Sequence, residues 1–354
     1  MDQSARADDS HSLYDVRPNA AAQPIEPLDA AGYHPAATAI PHRGWLTLCR
    51  PRTLPIALLP ALVTIALLVA RGAPLHVLPA LSTLLAVTLV QAGANMLDEY
   101  LDYMRALARA GAGERSDSGY RMGKRLKNTG VRPLTALRLS IALLLVGALA
   151  GVPAARAGGT PLIVLGAIGL LAAFLYSSTT YALKRLPLGE LALALAIGPG
   201  VTTTAALAQG QRLTTPVALL GAGFGLLTLA LAQAAHLRDA AGDRAHGRHT
   251  LAVLAGARFA RTLYAICLLG GLALIVLIGL MRGGSPGFVA TLLALPAALL
   301  ALTSVTRATA TNAHDLAVRL TVRAYLWIGT LALVGMLLRA AITAALPLLL
   351  DFLG

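Results

Sequence analysis

Asn95-Met96-Leu97-Asp98-Glu99-Tyr100-Leu101-Asp102 stands at the end of one long apolar run, and Arg238-Asp239-Ala240-Ala241-Gly242-Asp243 stands at the end of another. Carboxylates are costly beside a bilayer, so acids gathered where hydrophobic stretches end point to a metal or substrate site. If the helix continues, Asn95, Asp98, Glu99 and Asp102 stack on one face, three or four residues apart. Asp239 and Asp243 form an i, i+4 pair of the same kind. Like charges this close repel unless something positive lies between them, and a divalent cation is the simplest candidate. The plain alternative, a solvated helix end, has to hold for both clusters at once.

Composition places these clusters in a membrane protein. Of 354 residues 56% are hydrophobic and 13% charged, with a mean hydropathy of +0.69. A soluble domain averages about 25% charged residues. Here Leu, Ala, Val and Ile come in runs of the ~20 residues needed to cross a hydrocarbon core. Cys49 and Cys267 lie far apart with no ligand-like spacing, which gives neither a disulfide framework nor a zinc site. Residues 1–40 form a polar, Pro- and Ala-containing stretch without the charged-then-apolar order of a signal peptide, and read as a disordered cytosolic tail. Residues 41–354 read as one transmembrane domain.

Apolar runs predict an all-α bundle of nine spans near 54–71, 76–102, 134–152, 161–179, 189–208, 215–236, 260–281, 286–304 and 322–349. The second run is long enough to carry its acidic end out of the bilayer as helix. Basic residues alternate between loops. Arg105, Arg109, Arg115, Arg121, Lys124, Arg125, Lys127 and Arg132 follow the second span, Lys184 and Arg185 the fourth, and Arg238, Arg244, Arg248, Arg258 and Arg261 the sixth. The intervening loops carry only Arg71, Arg156, Arg212 and Arg282. This asymmetry predicts a multi-pass cell-membrane protein with a cytoplasmic N-terminus, an external C-terminus and an odd number of spans. It also accounts for most of the +13 net charge, so nucleic-acid binding need not be invoked. Both acidic clusters then fall on the cytoplasmic side, four helices apart, as in two half-repeats.

Magnesium prefers hard oxygen ligands and shares them with substrate phosphates. Asp98, Glu99, Asp102, Asp239 and Asp243 are therefore candidate metal ligands, facing each other across a pyrophosphate. Lys124, Arg125, Lys127, Lys184, Arg238 and Arg248 are candidates for the remaining phosphate charge. For each of these bases the alternative is a determinant of membrane orientation. His236, His246 and His249 surround the second cluster and could bind a transition metal, but the oxygen-rich setting favours Mg²⁺, and with it phosphate contact or a plain loop role for the histidines.

Trp45 to Pro55, Asn95 to Asp102, Gly123 to Gly130, Tyr176 to Glu190 and His236 to Leu251 are five ordered motifs, and together they resemble those of the UbiA superfamily of membrane prenyltransferases. Trp45-Leu-Thr-Leu-Cys-Arg50-Pro51-Arg-Thr53-Leu-Pro55 is similar to the family's opening before the first helix. The stretch from Asn95 to Asp102 is similar to its first acidic motif in spacing, and Gly123 to Gly130 resembles the basic segment that follows. Tyr176-Ser-Ser-Thr-Thr-Tyr181-Ala-Leu-Lys184, then Leu188-Gly189-Glu190, resembles its middle motif. His236-Leu-Arg238-Asp239, with Asp243 and Gly247-Arg248-His-Thr250-Leu, resembles its second acidic motif. The resemblance runs from about Trp45 to the end, and within the family it is greatest to the branch acting on 1,4-dihydroxy-2-naphthoate in menaquinone synthesis.

What the resemblance implies is a UbiA-like bundle with a central cavity opening to the cytoplasmic side. It implies Mg²⁺ held by both acidic motifs, a polyprenyl diphosphate donor whose diphosphate departs to leave an allylic cation, and an aromatic acceptor that attacks it. Asn95, Arg50, Tyr176, Tyr181 and Lys184 join the substrate-binding set on this basis. Tyr100, Tyr103, Tyr176 and Tyr181 offer either aromatic faces to the cation or membrane-interface anchors. The sequence also departs from the family. Asp98-Glu99 stands where the family usually has Asn-Asp, Ala106 where some branches have a further aspartate, and Ala235 and His236 where the naphthoate branch often has Asn. A membrane transporter is the rival from another class, but the ionisable residues gather at one face and not at the midplane. A non-catalytic scaffold that keeps the fold is the third reading.

Overall fold

The computed structural model describes residues 44–111, 124–177, 183–281 and 285–353. Among these residues nine helices are long and apolar enough to span a membrane, and no strand is present. In chain order they are α1 (Gly44–Ala70), α2 (Val77–Ala108), α3 (Pro133–Ala150), α4 (Val152–Ser177) and α5 (Pro187–Ala208). They continue with α6 (Thr215–Ala245), α7 (Gly256–Leu280), α8 (Pro286–Arg307) and α9 (Asn312–Ala345). The expected tail, residues 1–40, lies outside the described residues.

All nine expected spans are present, and the differences concern their ends. The polar stretch from Asn312 to Thr321 continues α9 as helix, because hydropathy reports burial in lipid and not where a helix stops. The fourth span begins earlier than expected and contains a break at Gly159, where φ is 67° and Pro161 follows, so the expected start near 161 marks a real discontinuity. Pro lies in the first turn of α3, α5 and α6, where its missing N–H leaves no intrahelical bond unmade.

Helices α1 and α6 form the interior. In each, 67% of the most apolar window is buried, against 17% for α3 and 6% for α4, which present their surfaces to lipid. The centre of the bundle is α1, which packs against α2, α5, α6 and α9. Pro60 inside α1 has no N–H for the carbonyl of Ile56, and the Tyr325 hydroxyl of α9 donates to that oxygen at 2.8 Å. A hydrogen bond lost within one helix thus becomes a tether between two. Along α5, Gly198 lies in a π-helical turn, and a Cβ there would stand 2.3 Å from the Gly221 carbonyl oxygen of α6. Small residues here let two backbones touch. Because α1 contacts both α2 and α6, the two helices that end in acidic motifs share one buried partner.

Candidate active site

The first acidic motif is organised by a break in α1. Helix Gly44–Cys49 stops at Arg50, which adopts left-handed angles (φ 52°, ψ 61°) before Pro51. Proline disfavours helical angles in the residue before it. A non-glycine residue in this region costs roughly 1–2 kcal/mol, so neighbouring contacts must hold it. Asn95 Nδ2 supplies them from α2, donating to the Cys49 carbonyl at 2.9 Å and to Thr53 Oγ1 at 3.2 Å. Thr53 Oγ1 in turn donates to the Arg50 carbonyl at 2.8 Å. Asn95, expected to touch substrate, here fixes the loop that aims Arg50.

So aimed, Arg50 Nη2 donates to Asp98 Oδ2 at 2.9 Å and to Glu99 Oε1 at 2.5 Å. Arg125, on the short helix Lys124–Thr129, adds a contact from Nη1 to Glu99 Oε1 at 3.2 Å. Lys184 is 5% exposed and places Nζ between two acids of α2, donating to Asp98 Oδ1 and, at 2.7 Å, to Asp102 Oδ1. Ser177 Oγ donates to Asp98 Oδ1 at 2.6 Å, and Arg105 Nη1 to Asp102 Oδ1 at 2.6 Å. Arg105 Nη2 also donates to the Ser177 carbonyl, tying the ends of α2 and α4.

The second motif has its own bases. Arg238 clasps Asp239 through Nε at 2.8 Å and Nη2 at 2.6 Å, and lies 3.8 Å from Asp315 at the start of α9. Arg248 Nη1 donates at 3.1 Å to Asp243, which is fully buried. One turn further inward, Glu190 of α5 accepts from His236 Nδ1 at 2.8 Å, from the Leu251 amide at 3.0 Å and from Gln233 Nε2.

A single residue joins the two motifs. The side chain of Lys184 binds Asp98 and Asp102, while its carbonyl accepts from Arg248 Nη2 at 3.3 Å, and Arg248 is itself the partner of Asp243. The two acidic stretches therefore meet at one end of the bundle. Arg125 reports the same proximity. Partial burial, then the charge of Arg50, lowers its guanidinium from the ordinary arginine value, with Glu99 opposing and Arg238 of the second motif adding to the effect. Tyr176 lies within electrostatic reach of Asp98, Arg248, Arg50 and Glu190, between the motifs.

Of the residues singled out from sequence, Arg50, Asn95, Asp98, Glu99, Asp102, Arg125, Tyr176, Lys184, Arg238, Asp239, Asp243 and Arg248 all fall in this region. Tyr181 lies outside the described residues, as does the side chain of Lys124. Tyr100 and Tyr103 pack against the apolar cluster of Leu48, Cys49, Met96 and Leu126. Ser177 and Arg105 were not expected. A serine beside a tyrosine and one arginine in a basic loop carry no distinguishing pattern. Glu190 belongs to a motif already quoted, but its role emerges only from the helix that faces it.

Among the described residues no three Asp, Glu, His or Cys side chains gather as a metal-binding group. Each acid expected to hold an ion accepts from arginine or lysine, which answers the same repulsion by other means. The donor set nonetheless suits a hard divalent cation, being carboxylate oxygen throughout, and Glu99 Oε2 is buried without a hydrogen-bond partner. The three histidines diverge: His236 turns to Glu190, His246 Nδ1 to the Gly242 carbonyl at 2.7 Å, and the His249 amide to the Arg185 carbonyl at 2.8 Å.

Paired acidic motifs and a cluster of bases meeting at one end of an all-helical bundle are the arrangement that the resemblance to membrane prenyltransferases implies. Residues 57–328 match the UbiA prenyltransferase family, and the chain belongs to that family. It is 26% identical to 1,4-dihydroxy-2-naphthoate octaprenyltransferase of Bacillus subtilis (strain 168), over 70% of this chain and 78% of the relative. It is 28% identical to the enzyme of the same name from Escherichia coli (strain K12), over 67% and 77%. Among solved structures, a UbiA homolog from Archaeoglobus fulgidus bound to DMAPP and Mg²⁺ superposes with a TM-score of 0.56 and 16% identity, covering 81% of this chain and 99% of that one.

Proposed function

We propose that this enzyme transfers a polyprenyl group from polyprenyl diphosphate to 1,4-dihydroxy-2-naphthoate, with Mg²⁺, in menaquinone synthesis. The observation that carries this reading is the Lys184 tie, which brings two acidic motifs and their bases together at one end of the bundle. Relatives bearing that activity in their names support the acceptor, and the DMAPP and Mg²⁺ of the Archaeoglobus fulgidus homolog support donor and ion.

Asp98, Glu99, Asp102, Asp239 and Asp243 would hold the ion, which supplies Lewis-acid neutralisation of the leaving diphosphate. Arg50, Lys184, Arg238, Arg248 and Arg125, together with Lys124 on the sequence reading, would take the remaining phosphate charge. Tyr176 offers a ring face to the allylic cation. The apolar walls of the bundle house the prenyl tail and keep water from the cation. We infer that this end faces the cytoplasm, with the N-terminus on the same side and the C-terminus outside, because the basic loops lie there. The transferase domain is then residues 41–354.

Purified enzyme given Mg²⁺, a panel of aromatic acceptors and polyprenyl diphosphates, with products identified by mass, tests the assignment. A prenylated, decarboxylated naphthoate is the expected product. Reaction only with another phenolic acid overturns the acceptor and leaves the class. Ion or solute flux in proteoliposomes without any prenylated product overturns both.

A further inference from the structure

The Glu190–His236 pair is not needed to hold a diphosphate, yet its carboxyl is buried. Glu190 is 2% exposed and Gln233 is wholly buried. Since Gln233 Nε2 and the Leu251 amide both donate to Glu190, this carboxyl acts as an acceptor, and His236 Nδ1 donates to it in turn. That tautomer, assigned from the network, leaves the lone pair on Nε2. Nε2 has no hydrogen-bond partner among the described residues, and the side chain keeps 14% of its surface open. Thr250 Oγ1, beside Leu251, is buried and unpartnered.

Position gives this atom its use. Gln233, His236, Asp239 and Asp243 follow one another at three- and four-residue steps, so they lie along one face of α6. His236 stands one turn, about 5 Å, inward of Asp239. With the diphosphate held at the acidic motifs, as proposed above, an acceptor on its inner side lies at the level of His236. The arrangement follows general-base logic: a carboxylate orients an imidazole whose other nitrogen faces the substrate.

Resting on the reading above, we infer that His236 Nε2 is the group that takes the proton from the acceptor's ring hydroxyl, with Glu190 as its positioning residue. The O–H bond breaks, the proton goes to Nε2 and the electron pair moves into the ring. The carbon–oxygen bond to diphosphate breaks with its pair leaving on the diphosphate, and the carboxylate-bearing carbon then gives the ring's pair to the allylic cation to form the new bond. Loss of carbon dioxide from the resulting β-keto carboxylate leaves an enolate, and Nε2 returns the proton to its oxygen. No other reactant is needed.

The test compares His236→Ala and wild type, purified in detergent with Mg²⁺, on two acceptors. One is 1,4-dihydroxy-2-naphthoate, and the other is a ring-fluorinated analogue whose hydroxyl is already ionised at the assay pH. Loss of a general base typically costs 10²–10⁴ in rate, so the variant is expected to lose ~100-fold in kcat on the natural acceptor. On the ionised analogue the loss shrinks to under about tenfold, and KM for polyprenyl diphosphate is unchanged on both. Glu190→Gln, which can present an amide N–H to Nδ1 and so reverse the tautomer, shows the same acceptor-selective loss. His236→Gln keeps the bulk and a donor for Glu190 without the basic nitrogen, and carries the comparison if His236→Ala does not reach the membrane. Equal losses on both acceptors, or a raised KM for the diphosphate, overturn the inference. Wild type that prenylates neither acceptor overturns the functional reading instead, so the two failures are distinct.

Discussion

Replacing Lys184 with Met removes one charge and little volume from the centre of the candidate site. The ammonium lies between Asp98 and Asp102, whose side chains are only 12% and 13% exposed. Removing one partner of a buried ion pair costs about 3–5 kcal/mol, chiefly because the other charge is left behind. Asp98 keeps Arg50 and Ser177, and Asp102 keeps Arg105, so the lower end of that range, ~3 kcal/mol, is expected. The Lys184 carbonyl survives the substitution, and with it the contact to Arg248, so the change isolates the side chain. Thermal unfolding in detergent with EDTA should therefore show the variant clearly less stable than wild type. Adding Mg²⁺ should close most of the gap, because a ligand at 100 times its Kd stabilises the folded state by about 2.7 kcal/mol and the freed acids no longer have an internal competitor. An equal unfolding temperature in EDTA, or the same Mg²⁺ response in both proteins, would refute the idea that Lys184 balances these carboxylates.

Other substitutions separate chemistry from scaffolding. Asp239→Asn should lower prenyl transfer by ~100-fold or more while the protein still accumulates in membranes, as product mass and immunoblots would show. Asn95→Ala leaves the Cys49 carbonyl and Thr53 Oγ1 without their donor. It should cost about 1–3 kcal/mol and, by releasing Arg50, raise KM for the diphosphate more than KM for the acceptor. Gly198→Ala drives a methyl to 2.3 Å from the Gly221 carbonyl and 2.4 Å from the Gly225 amide nitrogen. Backbone cannot yield as a side chain can, so a loss of ~3 kcal/mol or a failure to accumulate is expected; an unaltered unfolding temperature would show that α5 and α6 are not in contact there.

What the sequence makes legible follows from which interactions are local. The nine spans can be read because crossing lipid requires a long apolar helix whose backbone bonds are made within itself. The shared face of Asn95, Asp98, Glu99 and Asp102 can be read because neighbours three and four residues apart on a helix need no tertiary knowledge. The break at Arg50 is half legible: Pro51 disfavours a helix through it, but the left-handed turn depends on Asn95 reaching over from α2. The π-helical turn around Gly198 has no local signal beyond Gly and Pro, since its cause is the proximity of α6.

The partners of the acids show where such reading stops. Repulsion within each motif demands a positive neighbour, but not which one, and a divalent cation is only the simplest answer. The fold supplies Lys184 and Arg50 instead, from stretches remote in sequence, and places each between two carboxylates. These bases do not compete with the metal reading in the sense of replacing it. Under the proposed function, a site that receives a metal and a diphosphate together would alternate between two neutralised states. In one, bases rest on acids; in the other, acids turn to the cation and bases to the phosphates. Burying Asp98, Glu99 and Asp243 without such resident counter-charges would cost several kcal/mol per group, which the bundle would have to withstand whenever substrate is away. On this view Lys184 and Arg50 keep the resting enzyme folded with the same charges that bind its donor, so loss of either should impair stability and catalysis together.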